Sequence, residues 1–182
     1  MKEKEIELKF IINTDIKNKI IDKLNNIGVK THEEHLIDTY YVPNYKSFEV
    51  DNQTMECVRI REQNNISILG YKKIHRECNP VYCDEYETEV ESKDQTEKIL
   101  FALGFSTQMI IDKTRVSYKY NNFIFDFDSV KSLGELMEVE LIDNSSDVSK
   151  IYEFVSEFGL SKQDVTYEGI QMLMKKAMKD NK

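Results

Sequence analysis

The sequence predicts an antiparallel α+β fold whose strands close into a barrel with a charged lumen. Three observations lead there. Seven or eight segments alternate apolar and polar residues with the period of an extended chain. The charges in the polar phase are sorted by sign from one segment to the next. Helical stripes stand between and after the extended segments, the arrangement of a sheet with helices packed against it.

The first extended segment is "KEIELKF" at residues 4–10, within a strand expected over about 3–12. Glu5, Glu7 and Lys9 share one face, and Ile6, Leu8 and Phe10 the other. A helix follows at about 15–27, with Ile16, Ile20, Leu24 and Ile27 as its buried stripe and Gly28 at its end. Extended segments are expected at about 33–42, 56–62, 66–74 and 81–91, with Asn64-Asn65 as a turn. Ser92-Lys93-Asp94-Gln95 has capping-box form and opens a second helix that runs through Leu103 and ends at Gly104. Further strands are expected at about 107–120, 123–130 and 135–143, with Asn121-Asn122 as a hairpin turn. Ser145 or Ser146 is expected to cap a third helix bearing Val148, Ile151, Tyr152 and Val155. A last helix, at about 167–178, carries Ile170, Leu173, Met174 and Ala177.

The length of 182 residues suits one domain, and six glycines and two prolines leave no low-complexity linker to divide it. No apolar run approaches the roughly 20 residues of a spanning helix. Charges recur from Lys2 onward, unlike a signal peptide. A net charge of −8 argues against broad contact with nucleic acid or anionic membrane. Cys57, Cys78 and Cys83 form an odd set without CxxC spacing and read as reduced thiols, which points to a cytoplasmic protein.

The opening alternation recurs along the chain. Arg59 and Arg61 share a face in "CVRIR", and Glu85, Glu87, Glu89 and Glu91 are in phase in "DEYETEVE". Lys113 pairs with Arg115, Asp126 with Asp128, and Glu138 with Glu140. A solvated sheet face alternates in the same way, but it usually mixes signs. Like charges stacked in phase repel unless counterions or a ligand offset them. A barrel accounts for both features by turning the apolar phase outward beneath helices and the charged phase inward. Clustered carboxylates suit hard cations such as Mg²⁺ or Mn²⁺, and opposed Arg and Lys suit phosphate oxygens. Cations with a basic clamp describe a polyphosphate site.

These residues resemble a known family. "EIELK" fits the ExExK signature of the CYTH superfamily, the triphosphate tunnel metalloenzymes, which includes class IV adenylyl cyclases and thiamine triphosphatases. "DTYYVP" at 38–43, "VRIRE" at 58–62, "GYKK" at 70–73 and "EYETEV" at 85–90 follow in the family's order, as do "LGF" at 103–105, "DKTR" at 112–115 and "DFDSVKSLGELMEVE" at 126–140. The resemblance implies a closed eight-stranded antiparallel tunnel that binds a triphosphate end-on with divalent metal. It implies metal-binding roles for Glu5, Glu7, Glu87 or Glu89, Asp128, Glu138 and Glu140, and a triphosphate clamp of Lys9, Arg59, Arg61, Lys72, Lys113 and Arg115. Glu5, Glu7, Lys9 and Glu140 are the catalytic set it implies, and it suggests a homodimer. The chain departs from the family where KGP reads Lys72-Lys73-Ile74. It departs again where Tyr82-Cys83 replaces a basic position, with Arg76 displaced nearby, and where Leu136 stands for Phe.

The activity expected first is hydrolysis of inorganic triphosphate or of a nucleoside or thiamine triphosphate. The second is cyclisation of ATP with release of pyrophosphate. A non-catalytic polyphosphate- or nucleotide-binding module is third, and the acidic pairs on both the first strand and "MEVE" argue against it. Other candidates read as structural. His32, His35 and His75 lack ligand spacing, and a zinc site from His75, Cys78 and Cys83 lacks the usual paired spacing. Cys57 is in phase with the arginines but is expected to pack. The "DTYY" tyrosines pack under a helix or stack on a base, and Met172, Met174 and Met178 belong to core or lid.

Overall fold

A computed structural model describes residues 4–51, 53–142 and 147–180. The N-terminal segment forms β1 (Lys4–Glu5) and β2 (Glu7–Ile12), divided at Ile6. Asn13 then caps α1 (Thr14–Ile27), its side chain accepting from the Ile16 N–H at 2.9 Å. After β3 (Val29–Pro43) comes a two-stranded hairpin of β4 (Glu49–Val50) and β5 (Gln53–Thr54). The chain continues through β6 (Glu56–Gln63), β7 (Ile66–His75), β8 (Tyr82–Val90) and α2 (Lys93–Ala102). It proceeds through β9 (Phe105–Tyr120), β10 (Phe123–Val130), β11 (Gly134–Leu141), α3 (Ser149–Ser156), β12 (Val165–Thr166) and α4 (Ile170–Asp180).

Apart from the β4–β5 hairpin, the strands form one strongly curled antiparallel sheet in the order β1-β8-β7-β6-β3-β9-β10-β11-β2-β12. The N-terminal segment meets both flanks of this order. Through β1 it pairs Glu5 with Cys83 of β8, and through β2 it pairs Glu7 with Glu140 and Lys9 with Glu138 of β11.

Several expected elements differ in extent. β3 starts at Val29, directly after α1, because Gly28 lets helix and strand meet without a loop. Its backbone is extended at φ −115°, so no left-handed turn is needed. A Cβ there would sit 3.0 Å from the Lys119 carbonyl oxygen and 3.1 Å from that of Leu24. Gly28→Val is therefore expected to lower stability by about 1–3 kcal/mol through overpacking, read as a lower thermal midpoint. Asn64, Asn65 and Asn121 adopt φ of 49°, 64° and 52°, the left-handed conformation that tight hairpin turns require. Ser92 caps α2 as expected, accepting from the Gln95 N–H at 3.3 Å, and Gly104 ends it at φ +85°. The last helix begins at Ile170, later than the sequence indicated, because Val165 and Thr166 pair with Phe10 and Lys9 as β12. The proposed caps Ser145 and Ser146 lie outside the described residues. No helix among those described is long and apolar enough to cross a membrane.

The apolar phase lies beneath the helices. Ile6, Leu8 and Phe10 pack with Ile20 and Leu24 of α1 and with Ile151 and Val155 of α3. Leu100 of α2 covers Tyr41, Val58 and Ile60. In a third cluster, Tyr40, Ile111, Val130 and Leu136 meet Ile170, Leu173 and Met174 of α4. These four strand residues are in phase with the charged set, so α4 lies across one end of the sheet's concave side.

Candidate functional site

The concave face encloses a cavity of about 260 Å³. Glu5, Glu7 and Lys9 reach it from the N-terminal segment, and Glu138 and Glu140 from β11. Arg59 and Arg61 come from β6, Lys72 from β7, Glu85 and Glu87 from β8, Lys113 and Arg115 from β9, and Asp126 from β10. Period-two alternation on each strand delivers these residues to one side, and the curl of the sheet turns them toward one another.

The charges interlock. The Lys9 ammonium lies 3.0 Å from Glu138 and 3.6 Å from Glu7. Lys72 donates to Glu5 at 2.7 Å and lies 3.0 Å from Glu85. Arg59 donates to Glu87 at 2.9 Å, a contact for which the bare Gly70 leaves room: a Cβ there would stand 3.2 Å from the Glu87 Oε1. Arg61 grips the fully buried Asp38 with two hydrogen bonds of 2.7 and 2.8 Å. Arg115 donates to Asp126 at 2.6 Å and to Glu138 at 2.7 Å. It also reaches Asp128, and Lys113 donates to Asp128 at 2.6 Å.

Burial and neighbouring charge separate the carboxyls. Burial raises Glu7, and the nearby Glu138 raises it further. Glu85 is pushed up to about 8 by burial, against the opposing Lys72 charge and with the Glu5 charge adding to it. Burial would raise Glu5 as well, but Lys72 and a hydrogen bond from Glu85 hold it at about 2. Glu138 lies well below the usual range because Lys9 and Arg115 outweigh its burial. Lys113 is lowered to about 8, first by burial and then by the adjoining Arg115. Burial thus works against the ionised form of both Glu7 and Glu85.

The sequence-predicted set is largely brought together. Glu5, Glu7, Lys9, Arg59, Arg61, Lys72, Glu87, Lys113, Arg115, Glu138 and Glu140 all line the cavity. Glu89 is exposed on β8 and is not among the lining residues. Asp128 is 1% exposed and sits in the wall, holding Lys113 and Arg115. Sequence reasoning missed Asp38, which interrupts an apolar stretch and belongs to no charge run; only the β3–β6 pairing of Asp38 with Arg61 reveals its partner. Glu85 and Asp126 were legible as in-phase acids and could have been added on that ground. Cys57 and Tyr40 also line the cavity. Tyr41 packs under α2, 6.3 Å from the Phe101 ring, and donates to Glu97 at 2.5 Å.

Two of the histidines, His35 and His75, bind carboxylates elsewhere. His35 meets Asp112 at 2.6 Å, and His75 lies between Asp84 at 2.7 Å and Glu77 at 3.1 Å. Among the described residues, no three or more His, Cys, Asp or Glu surround a point ready to hold an ion. In the lumen Lys9 meets both Glu7 and Glu138, and Lys72 meets both Glu5 and Glu85. The donor set is nonetheless all carboxylate oxygen, the chemistry of a hard divalent cation.

Known proteins share this architecture. The chain is 27% identical over 154 residues, 84% of its length and 86% of the other, to a Methanocaldococcus jannaschii protein that bears the name adenylate cyclase provisionally. A solved Pyrococcus horikoshii structure superposes with a TM-score of 0.77 at 26% identity, covering 93% of this chain and 99% of that one. A Hippeastrum protein, provisionally named an adenylyl cyclase and described as having dominant triphosphatase activity, matches with a TM-score of 0.68. It covers 96% of this chain and 95% of its own, and at 14% identity that likeness is one of fold. The CYTH domain profile matches residues 3–166, nearly the whole chain, and the chain belongs to the CYTH family.

Proposed function

We propose that this protein is a divalent-metal-dependent enzyme that hydrolyses a triphosphate inside a closed tunnel. The observation that carries the proposal is one cavity with carboxylates from β1, β2, β8 and β11 facing a basic set from β6, β7 and β9. Counting β1 and β2 as one strand gives eight around the lumen, joined through the dual pairing of the N-terminal segment.

Glu7, Glu138 and Glu140, with Glu5 and Glu85, are the residues suited to hold Mg²⁺ or Mn²⁺. When bound, such an ion neutralises phosphate oxygens and lowers the pKa of a water nucleophile. Arg59, Lys72, Lys113, Arg115 and Lys9 bind the phosphate oxygens, with Arg61 beside them, and offset charge developing on the leaving phosphate. Asp38 and Asp128 act through these cations: each orients buried basic groups so that their remaining N–H donors face the lumen. Glu89, outside the cavity, has no part in this scheme.

The Hippeastrum neighbour, alike in fold alone, is described as a triphosphatase, so this architecture is compatible with hydrolysis. The name of the Methanocaldococcus relative favours a second reading, cyclisation of ATP by its ribose hydroxyl with loss of pyrophosphate. Incubation with ATP and, separately, with inorganic triphosphate, each with Mg²⁺ or Mn²⁺, distinguishes them. Orthophosphate without cyclic AMP is the expected outcome, whereas cyclic AMP with pyrophosphate replaces hydrolysis by cyclisation. Metal-dependent binding without turnover favours a binding module. A homodimer and a cytoplasmic setting complete the proposal, resting on family resemblance and composition.

A further inference from the structure

The sheet closes unevenly along the N-terminal segment. On the edge that faces β8, Lys4 and Glu5 pair with Asp84 and Cys83, whereas Lys9 and Phe10 pair with Thr166 and Val165 of β12. Between the start of β8 and the end of β12 lies a notch of about 40 Å³. It is lined by Glu5, Glu7 and Lys9, which also line the larger cavity, and by Val81, Tyr82 and Tyr167. Arg76, displaced from the family's basic position, is not among the residues that line the larger cavity. It stands half-buried in the turn after β7. From there it donates to the Tyr167 carbonyl, just past β12, and to the Thr54 carbonyl of β5 at 3.1 Å. Among the described residues its hydrogen bonds go to these two carbonyls and to no carboxylate.

We infer that Arg76 is a positioning residue: it clasps the linker at 165–169 across the notch and so holds the strand bearing Glu7 and Lys9 in place for metal and phosphate. This role rests on the triphosphate reading above and adds the element that fixes the geometry of that site. The β1–β8 and β2–β12 ladders have two residue pairs each, and ladders so short open locally unless something holds them. A planar guanidinium presents its donors in a fixed fork, so one side chain can set two carbonyls relative to each other. One of these carbonyls follows Thr166 directly, and Thr166 pairs with Lys9. The Lys9 ammonium in turn lies 3.0 Å from Glu138 and 3.6 Å from Glu7, so slack in β12 reaches the lumen through a single side chain. A shift of about 1 Å in such groups is enough to impair a site built on their placement.

Two measurements on the full chain test this role. In Arg76→Met, which keeps the stem and removes the donors, amide hydrogen exchange of the metal-free protein is expected to quicken about tenfold at Lys9, Phe10 and 165–169. Exchange in β10 should stay as in wild type. Calorimetric titration with inorganic triphosphate and Mg²⁺, well below the variant's thermal midpoint, should show affinity lowered about tenfold. Arg76→Lys keeps the charge without the fork, so it should recover part of both losses, to about threefold. It decides the matter if Arg76→Met does not fold. Wild-type exchange at these sites in the variants overturns the clasp. Faster exchange with unchanged triphosphate affinity makes Arg76 a structural residue only and overturns the positioning role, while leaving the triphosphate reading intact. Wild-type protein that does not bind inorganic triphosphate with Mg²⁺ overturns that reading and the positioning role with it.

Discussion

Glu7→Gln is expected to lower turnover by about 10²–10³-fold while leaving the fold intact. Glu7 sits in the lumen beside Lys9, in register with Glu140. Burial and the Glu138 charge already disfavour its ionised form, so a neutral carboxamide of the same shape relieves repulsion in the metal-free protein. Its thermal midpoint without added metal should match or exceed that of wild type, and the rise on adding Mg²⁺ or Mn²⁺ should shrink. Glu140→Gln is expected to lose turnover to a similar degree. Near-wild-type rates in both variants would mean that these carboxylates merely line a wall.

Asp38→Ala should produce the largest loss of stability, about 3–5 kcal/mol, because it strands buried positive charge. The Asp38 carboxylate is fully buried, gripped by Arg61 through two hydrogen bonds and lying 3.8 Å from Arg59 and 3.9 Å from Lys113. Burial alone would raise its pKa, but the Arg61 hydrogen bonds and the surrounding cations bring it far below the ordinary carboxylate value. The unfolded chain therefore takes up this proton first, and stability rises with pH through that window. The contribution is present above the unfolded value of about 3.9 and is lost as pH falls below it. Chemical denaturation of wild type between neutral pH and pH ~3 should show this acid loss, and Asp38→Asn should flatten it. An equally steep acid limb in Asp38→Asn would assign the loss to other carboxylates.

The legible part of this molecule follows from local rules. β10 spans Phe123–Val130 as expected, since Phe125 and Phe127 alternate with Asp126 and Asp128 after the Asn121-Asn122 turn. β12 and the β4–β5 hairpin escaped notice because two-residue strands have no period of their own and are defined by their partners. The last helix was placed too early because its apolar spacing is visible, while the pairing of Val165 and Thr166 with β2 is not. In the site, Glu5, Glu7 and Lys9 stood out through alternation. Asp38 did not, because its importance lies in the arginine it holds across two strands.

By itself the sequence determined which side chains share a face, because a two-residue period is imposed by the backbone of every strand. Ile6, Leu8 and Phe10 were bound to part company with Glu5, Glu7 and Lys9 whatever the fold. Charge sorted by sign from strand to strand already pointed the charged face inward, and tertiary structure decided which charges met. Glu5 and Lys72 pair across 67 residues of sequence, and Arg115 gathers Asp126, Asp128 and Glu138 from two strands. Such pairings depend on register and curvature summed over many strands, and no local pattern encodes them. The same holds for α4, whose apolar stripe was readable but whose place across one end of the cavity depends on the in-phase cluster of Tyr40, Ile111, Val130 and Leu136 that receives it.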